Sequence, residues 1–264
     1  MEFIDFHTHI YPEKIAKKAT DFLRNYCNQE AGWPGTAENL MIFGKAAGIS
    51  RFVTLSVAVK AEQVRKINEF AVSQNNEYED FFSFGSIHAA QKSPVEEVDF
   101  IKKSGLYGVK IHAEQQNFAV DDERLFDAYD YLQNLGLPVL FHCGDPVKNL
   151  SHPARIRHLV HEFPKLRIVA AHFGGWMRFD EALETLKGDD CKNLFFDMSS
   201  SMPYLGAEKT AHFINTYGDD RIFFGSDFPL WSQDEEIENF LALPLSLSAK
   251  ENIAHKNAEN FLGI

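Results

Sequence analysis

Two histidines separated by one residue follow an apolar run at the start of the chain, in the stretch FIDFHTH. If this stretch is a strand, His7 and His9 leave the same face about 7 Å apart, while Thr8 points to the other face. Two imidazoles placed in this way can bind one metal ion. Histidines also occur as ordinary polar residues near strand ends, so the meaning of the pair depends on which other groups converge on it.

Other side chains that can bind a metal or move a proton also come late in apolar runs. They are Lys110, His112, His142, His172 and Asp227. Imidazoles together with a carboxylate, and without a thiolate, suit zinc, iron or manganese, and imidazole favours the first two. The remaining helix or loop histidines are interpreted as solvated or structural. They are His158, His161, His212 and His255.

Composition narrows the class of protein. The chain has 264 residues, 45% of them hydrophobic, and a formal net charge of −12, which would repel a phosphate backbone and argues against nucleic acid as a partner. No stretch approaches the roughly 20 apolar residues of a membrane span, and no secretory signal is recognisable, so we expect a cytoplasmic protein. Cys27, Cys143 and Cys191 show no metal-binding or disulfide spacing and are predicted to be reduced thiols.

Eight apolar runs alternate with amphipathic, helix-like stretches. The predicted strands are 3–9, 51–58, 81–88, 108–113, 138–144, 167–175, 194–200 and 222–229. Near-continuous hydrophobicity is typical of parallel strands that are covered on both faces. The eightfold repeat predicts a single-domain (β/α)8 TIM barrel over residues 1–264, with an insertion after strand 1, between His9 and Arg51. The lack of a Gly-x-Gly-x-x-Gly turn argues against a dinucleotide-binding fold.

Active sites of such barrels lie at the carboxyl ends of the strands, where these polar side chains are expected to meet. By alternation Cys143 should face the helix layer as a packing thiol. Asp5 shares the parity of His7 and His9 but lies deeper. It is predicted either to orient a ligand histidine or to form hydrogen bonds inside the barrel.

These residues resemble the amidohydrolase superfamily of metal-dependent TIM-barrel enzymes, and within it the branch of aminocarboxymuconate-semialdehyde decarboxylase-like proteins. The matching segments are DFHTHIYP, GVKIHAEQQNF, FHCGDP, FPKLRIVAAHFGGWMRFDEAL, FFGSDFP and NIAHKNAENFLGI. The resemblance implies that His7, His9 and Asp227 bind a first metal. It further implies that His142 and His172 bind a second metal or act as partners of the first.

Lys110 has two interpretations. A lysine on a core strand is expensive to bury, so it is expected to reach the barrel mouth as an ammonium that pairs with substrate or with a carboxylate such as Asp227 or Glu114. In binuclear members of the resembled superfamily, a strand-four lysine is carboxylated and bridges two metals. Decarboxylase-like members generally lack this lysine and use a single metal.

The predicted function is a metal-dependent hydrolase that cleaves an amide, lactone or ester bond of a small molecule. The cofactor is one or two divalent ions, zinc in first place, with manganese or iron as alternatives. Asp227 is predicted to accept and return the proton of the attacking water, and His172 is an alternative base. The second hypothesis is a non-oxidative decarboxylase of an unsaturated or aromatic acid. A binding protein without turnover is the third.

Substrate contacts are predicted from positions that follow the strands. The candidates are His88, His112, Gln115, Gln116, Trp176, Arg178 and Tyr204. Trp176 and Arg178 also suit packing and capping at the start of the next helix, and Asp145 suits a turn. His152 is expected to precede a helix with Pro153 at its first position. A homo-oligomer is compatible with the sequence.

Overall fold

Eight parallel strands form one sheet in sequential order in the computed structural model, which describes residues 1–27, 33–188 and 191–264. The strands are β1 (Phe3–Thr8), β2 (Ile49–Leu55), β3 (Phe81–Ser86), β4 (Val109–Ile111), β5 (Val139–Phe141), β6 (Ile168–Ala170), β7 (Leu194–Asp197) and β8 (Ile222–Phe223). The barrel closes where Phe6 N donates to Phe224 O (2.8 Å) and Asp227 N donates to His7 O (2.8 Å). The predicted (β/α)8 barrel is therefore confirmed.

Helices connect successive strands on the outside of the barrel. They are α1 (Glu13–Cys27), α2 (Ala37–Ala46), α3 (Val64–Glu77), α4 (Pro94–Lys103), α5 (Ala113–Gln116), α6 (Phe126–Leu135), α7 (Pro153–Glu162), α8 (Phe179–Leu186), α9 (Met202–Tyr217), α10 (Gln233–Leu241), α11 (Leu247–Glu251) and α12 (Asn257–Leu262). The predicted insertion after β1 contains α1 and α2, and its residues 28–32 lie outside the described residues. As expected, His152 caps α7 and Pro153 is its first residue.

The apolar residues of the strands divide between two layers. One cluster, which includes Phe6, Phe84, Leu140 and Phe223, fills the inside of the barrel. The other lies between the sheet and the helices and contains Cys143, as the alternation predicts. This division is the one that a parallel sheet with both faces covered requires.

A β-bulge in β1 changes the direction of its side chains. The pairing with β2 shifts between Asp5 and Thr8, so that three steps along β1 match two along β2. Asp5 consequently does not share the face of His7, which corrects the sequence-based expectation. Its Oδ2 accepts hydrogen bonds from Gln233 Nε2 of α10 (2.8 Å) and from Ser226 Oγ, on the helix side of the sheet. His7 points into the barrel mouth instead.

The observed strands are shorter than the predicted apolar runs. β5, β6 and β8 end before His142, His172 and Asp227. These three residues therefore lie in the first turns after the strands, where backbone direction no longer follows strand alternation. Their position at the carboxyl end of the barrel is nevertheless the one that the sequence predicts.

Candidate metal centre

His7, His9 and Asp227 converge at the barrel mouth. The two Nε2 atoms lie 3.3 Å apart, and Asp227 Oδ1 lies 3.3 Å from His9 Nε2 and 3.7 Å from His7 Nε2. Ligands bound at 2.0–2.2 Å to a tetrahedral or octahedral ion are separated by about 3.0–3.5 Å. Two of the three separations, both 3.3 Å, thus fit ligands of one divalent cation, and the third, 3.7 Å, is slightly longer.

The second nitrogen of each histidine fixes which atom is free to bind a metal. His7 Nδ1 faces Asp197 Oδ2 at 2.8 Å, and His9 Nδ1 faces the carbonyl oxygen of Leu55 at 2.9 Å. Both partners only accept, so each Nδ1 carries the proton and each Nε2 presents a lone pair. Two lone pairs that face each other at 3.3 Å repel unless a cation lies between them. The donor set therefore fits a metal, with Asp197 and Leu55 orienting its ligands.

His142 and His172 form a similar pair beside this site. His172 Nδ1 donates to Ser199 O (2.9 Å), and His142 Nε2 donates to Gly144 O (3.0 Å). The remaining nitrogens, His172 Nε2 and His142 Nδ1, are 3.0 Å apart with lone pairs facing each other. Either a cation or a shared proton would stabilise this arrangement.

Burial sets the protonation of these groups. It lowers the pKa of His7 to about 4, against the opposing charge of Asp197, and it also lowers the pKa of His172. Burial alone would raise the pKa of Asp227, but His7 and His9 hold it well below its usual range. Neutral imidazoles beside an ionised carboxylate are the states that bind a divalent metal.

Lys110 lies against the same site. Its side chain is buried, and Nζ is 3.5 Å from His7 Nε2. Burial lowers the pKa of Lys110 to about 8, although the charges of Asp197 and Asp227 act in the opposite direction. A bound divalent cation would compete with the ammonium form of Lys110 for the same lone pair.

Three further side chains that the sequence did not single out support the site. Ser200 Oγ donates to Asp227 Oδ2 at 2.5 Å and accepts from Trp231 Nε1 at 2.8 Å, which leaves Oδ1 directed at the histidines. Ser199 Oγ contacts His7 Nδ1 (3.1 Å), next to Asp197. Asp197 ends β7, and its place at a strand end, like that of the other polar residues, is the signal that could have identified it.

Several site residues have backbone conformations in the left-handed region. The φ angles are 58° for His172, 48° for Ser200 and 61° for Asp227. A non-glycine residue in this region costs of the order of 1–3 kcal/mol and persists only where the surrounding structure enforces it. Such residues cluster at functional sites, and here all three lie at the barrel mouth.

A cavity of about 430 Å³ opens above the candidate metal-binding residues. His9, His112, His142, His172 and Asp227 contribute to its polar base. Its remaining walls come from the loops after the strands and from α1. The cavity is large enough for a small organic molecule.

The predicted substrate-binding residues divide into two groups. His112, Gln115 and Trp176 line the cavity, whereas His88, Gln116, Arg178 and Tyr204 do not. The His88 ring packs on Phe118, and its Nδ1 accepts a hydrogen bond from Ala90 N (3.0 Å).

Two of the residues outside the lining, Arg178 and Gln116, connect loops. Arg178 Nε donates to Asp145 O (2.7 Å), which agrees with the packing alternative for this arginine. Gln116 Nε2 donates to Ala58 O and Ile87 O (2.9 and 2.8 Å). Both residues therefore shape the mouth from outside the cavity.

The amidohydrolase family model Amidohydro_2 matches residues 4–264. An uncharacterised TIM-barrel protein from Bordetella bronchiseptica is similar in structure, with a TM-score of 0.84 and 23% identity over 100% of this chain and 99% of that one. A 5-carboxyvanillate decarboxylase from Sphingomonas paucimobilis has a TM-score of 0.73 and 14% identity, covering 100% and 99% of the two chains. The curated proteins contain no match to this sequence.

A third similar structure is a dihydroxybenzoic acid decarboxylase from Polaromonas with bound manganese and the inhibitor 2-nitroresorcinol. Its TM-score is 0.73 at 14% identity, with 99% and 97% of the two chains covered. In the described part of the present chain, no helix is both long and apolar enough to cross a membrane. The barrel and the family match over nearly the whole length lead to one assignment: the chain belongs to the Amidohydro_2 family of amidohydrolases.

Proposed function

We propose that this amidohydrolase is a metal-dependent hydrolase that cleaves an amide, lactone or ester bond of a small molecule. The observation that carries the proposal is the convergence of two imidazole lone pairs, from His7 and His9, with the carboxylate of Asp227 at the base of a cavity. Zinc or manganese is the proposed cofactor, since both accept nitrogen and oxygen ligands.

The reaction requires a group that moves protons beside the metal. A divalent cation in this position supplies Lewis-acid activation of water and of a substrate carbonyl. Asp227 is the proposed base: its carboxylate stays ionised and is held in place by Ser200, so it can accept the proton of the attacking water and return it to the leaving group. His172 lines the cavity and is the alternative base.

Lys110 adds a further group to the proposed metal site. Its Nζ lies next to the atom of His7 that is proposed to bind the metal, and an ammonium there would be repelled by a divalent cation. We therefore propose that Lys110 is either a neutral amine or a carbamate formed with carbon dioxide when the metal is bound. A carbamate would add two oxygen ligands and permit a second ion near His142 and His172.

Decarboxylation of an unsaturated or aromatic acid is the second candidate. It is supported by the decarboxylase names of two similar structures, one of which holds manganese. In this reaction the metal site would bind the carboxylate or hydroxyl groups of the acid. Asp227 or His172 would then take a proton from water and pass it to the carbon that loses the carboxyl group.

A reducing, cytoplasmic setting is part of the proposal. It is supported by Cys27 and Cys143, neither of which forms a disulfide in the described part of the chain. The proposed partner is a small-molecule substrate, which suits a cavity of about 430 Å³.

Product analysis distinguishes the two reactions. The metal-loaded protein is offered a panel of N-acyl amides, lactones, esters and hydroxybenzoates, and released acid and released carbon dioxide are measured separately. We expect metal-dependent acid release from at least one amide, lactone or ester. Carbon dioxide release from a hydroxybenzoate, without hydrolysis of any other member of the panel, would overturn the first proposal in favour of the second.

A further inference from the structure

Helix α1 carries an apolar stripe that faces the cavity. Its members are Ile15, Ala19, Phe22, Leu23 and Tyr26, which follow helical spacing and all line the cavity. Large apolar side chains on this stripe are unusually exposed, with fractions of 50% for Ile15 and 59% for Phe22. The stripe is therefore an apolar surface that remains accessible from the space above the metal-binding residues.

A second apolar edge lies on the cavity wall formed by the segment after β2. Leu55, Val57 and Val59 line the cavity there, and Val59 is 45% exposed. The polar groups at the base are the histidines and Asp227 described above. The walls also contain Lys18 of α1, Gln63 and Gln115, but their larger part is apolar. The cavity thus combines a proposed metal-binding base with mainly apolar walls, which suits a molecule that has a reactive polar end and an apolar body.

Contacts across the mouth fix the orientation of α1. Tyr26 Oη donates to the carboxylate of Asp145, in the loop after β5, and the Tyr26 ring stacks on Trp176 at 6.0 Å between centroids. Arg24 Nη2 donates to Pro229 O (2.8 Å), in the loop after β8. Because α1 is attached to two different loops of the mouth, its apolar stripe is directed at the cavity.

The other side of α1 has the character of a solvent-facing surface. Lys17 and Asp21 form an exposed ion pair there at 2.8 Å. This ion pair lies on the face of α1 opposite to the stripe.

We propose that the stripe on α1 selects substrates whose reactive group carries an apolar chain or ring of several carbons. The apolar part packs between the stripe and the edge formed by Leu55, Val57 and Val59, while the reactive carbonyl reaches the base. The inference rests on the proposed function for the identity of the reactive group. The selection of the apolar part rests on the cavity walls alone.

The test measures binding rather than turnover. Straight-chain alkyl hydroxamates, from acetohydroxamate to octanohydroxamate, are titrated into the metal-loaded protein by calorimetry. Each added methylene that enters the apolar walls should tighten binding by about fourfold, as expected for its transfer from water. The double variant Ile15→Ser/Phe22→Ser should bind acetohydroxamate with the affinity of the parent. Its increase in the logarithm of affinity per added methylene should be less than about half of the parent's.

Ile42→Ser is the matched control. Ile42 lies on α2 of the same insertion, is 54% exposed and does not line the cavity, so its replacement should leave the whole series unchanged. An affinity that does not depend on chain length in the parent, or a dependence that the double variant retains, would overturn the inference. The inference would also be overturned if the parent were a dimer, the double variant were a monomer, and the affinity of neither depended on chain length. The stripe would then be a contact surface for a second copy of the chain.

The same data separate this inference from the proposed function. Loss of acetohydroxamate binding after chelation tests whether a metal is bound at the base. The change in affinity with chain length tests whether the walls contact the apolar part. A steep slope that depends on Ile15 and Phe22 supports the inference even if the product panel shows decarboxylation.

Discussion

The inside of the barrel and its mouth are built from opposite kinds of residue, although they meet at adjacent positions of β1. Inside, Phe6 stacks on Phe223 at 4.0 Å between centroids, and both contact Phe261 of α12. One residue further along the chain, His7 belongs to the group of close ligand atoms that could hold a metal ion. The aromatic interior contributes stability through apolar burial. The mouth instead buries imidazoles and carboxylates and bends the backbone, both of which cost stability.

We infer from this contrast that the apolar interior stabilises the fold, whereas the strained, polar mouth carries the chemistry. Changes at the mouth should therefore abolish metal binding or turnover and leave the fold intact. Changes in the interior should do the reverse.

The largest effect is expected for the double variant His7→Ala/His9→Ala. It removes both imidazole lone pairs that are proposed to bind the metal. We expect one to two metal equivalents in the parent, less than about a tenth of that in the purified variant, and no measurable turnover of the variant. Metal content by mass spectrometry and the circular-dichroism melting curve check this. His158→Ala, at a half-exposed histidine outside the mouth, serves as control and should keep its metal. A metal content near zero in the parent, even after metal supplementation, would refute the metal site.

Asp227→Asn should separate metal binding from proton transfer. The amide keeps the shape and a neutral oxygen ligand but removes the base. We expect a folded variant that retains most of its metal and loses about two to four orders of magnitude in turnover. Steady-state kinetics on metal-loaded protein measure this. Turnover within about tenfold of the parent would contradict the role of Asp227 as base.

Ser200→Ala is the companion variant to Asp227→Asn. It leaves the carboxylate in place and removes the hydrogen bond to Oδ2, together with the one that Ser200 Oγ accepts from Trp231 Nε1. We expect metal affinity to fall by about 10- to 100-fold, which is typical for loss of a group that orients a ligand. Competition with a metal chelator measures this affinity, and Ser200→Thr should recover part of it.

Phe223→Ala tests the interior. Removal of a buried aromatic ring should reduce the free energy of unfolding by about 3–5 kcal/mol. Metal content and turnover per folded molecule should stay within about threefold of the parent, because the backbone of β8 remains paired. Denaturant unfolding and active-site titration give the two values. A variant of nearly normal stability without metal would show that interior and mouth are not separate.

The smallest effect concerns Glu236 of α10, whose Oε2 is buried and without a hydrogen-bond partner among the described residues. Burial raises the pKa of Glu236 to about 8, with further contributions from Asp5 and Asp227. The folded state therefore holds the proton more tightly than the unfolded chain. This contribution to stability is complete below about pH 4.5 and is lost as the pH rises through about 8.

Glu236→Gln removes this titration. We expect the variant to have a Tm about 3–6 °C above the parent at about pH 8.5 and a Tm within about 1 °C of it at about pH 5. Thermal melts at both pH values measure the difference. An equal shift at the two pH values would show that the effect does not arise from the carboxyl group.

The sequence predicts the barrel well because each strand is a short apolar run and each polar residue of the mouth ends such a run. His7, His9, His142, His172 and Asp227 were all found by this signal. It failed for Asp5, because a β-bulge is not visible in an apolar–polar pattern and reverses which face a residue takes.

Two other features could not be read from the sequence for physical reasons. Ser200 acts through its hydroxyl on a carboxylate 27 positions later, and a serine after a strand has no distinctive pattern. The stripe of α1 looks like the buried face of an ordinary amphipathic helix, since periodicity does not tell whether a face meets a core or a cavity. Only the folded arrangement shows that Phe22 faces the space above the metal ligands.

The left-handed backbone at His172, Ser200 and Asp227 has a consequence for how such a mouth changes over generations. At each of these positions glycine would relieve the backbone strain and so increase the stability of the fold, but it would also remove the side chain that the site needs. Mutational drift without selection for catalysis should therefore remove these side chains early and leave a sturdier, inactive barrel. A laboratory lineage selected only for thermal stability offers a direct view of that drift, with glycine expected first at these three positions.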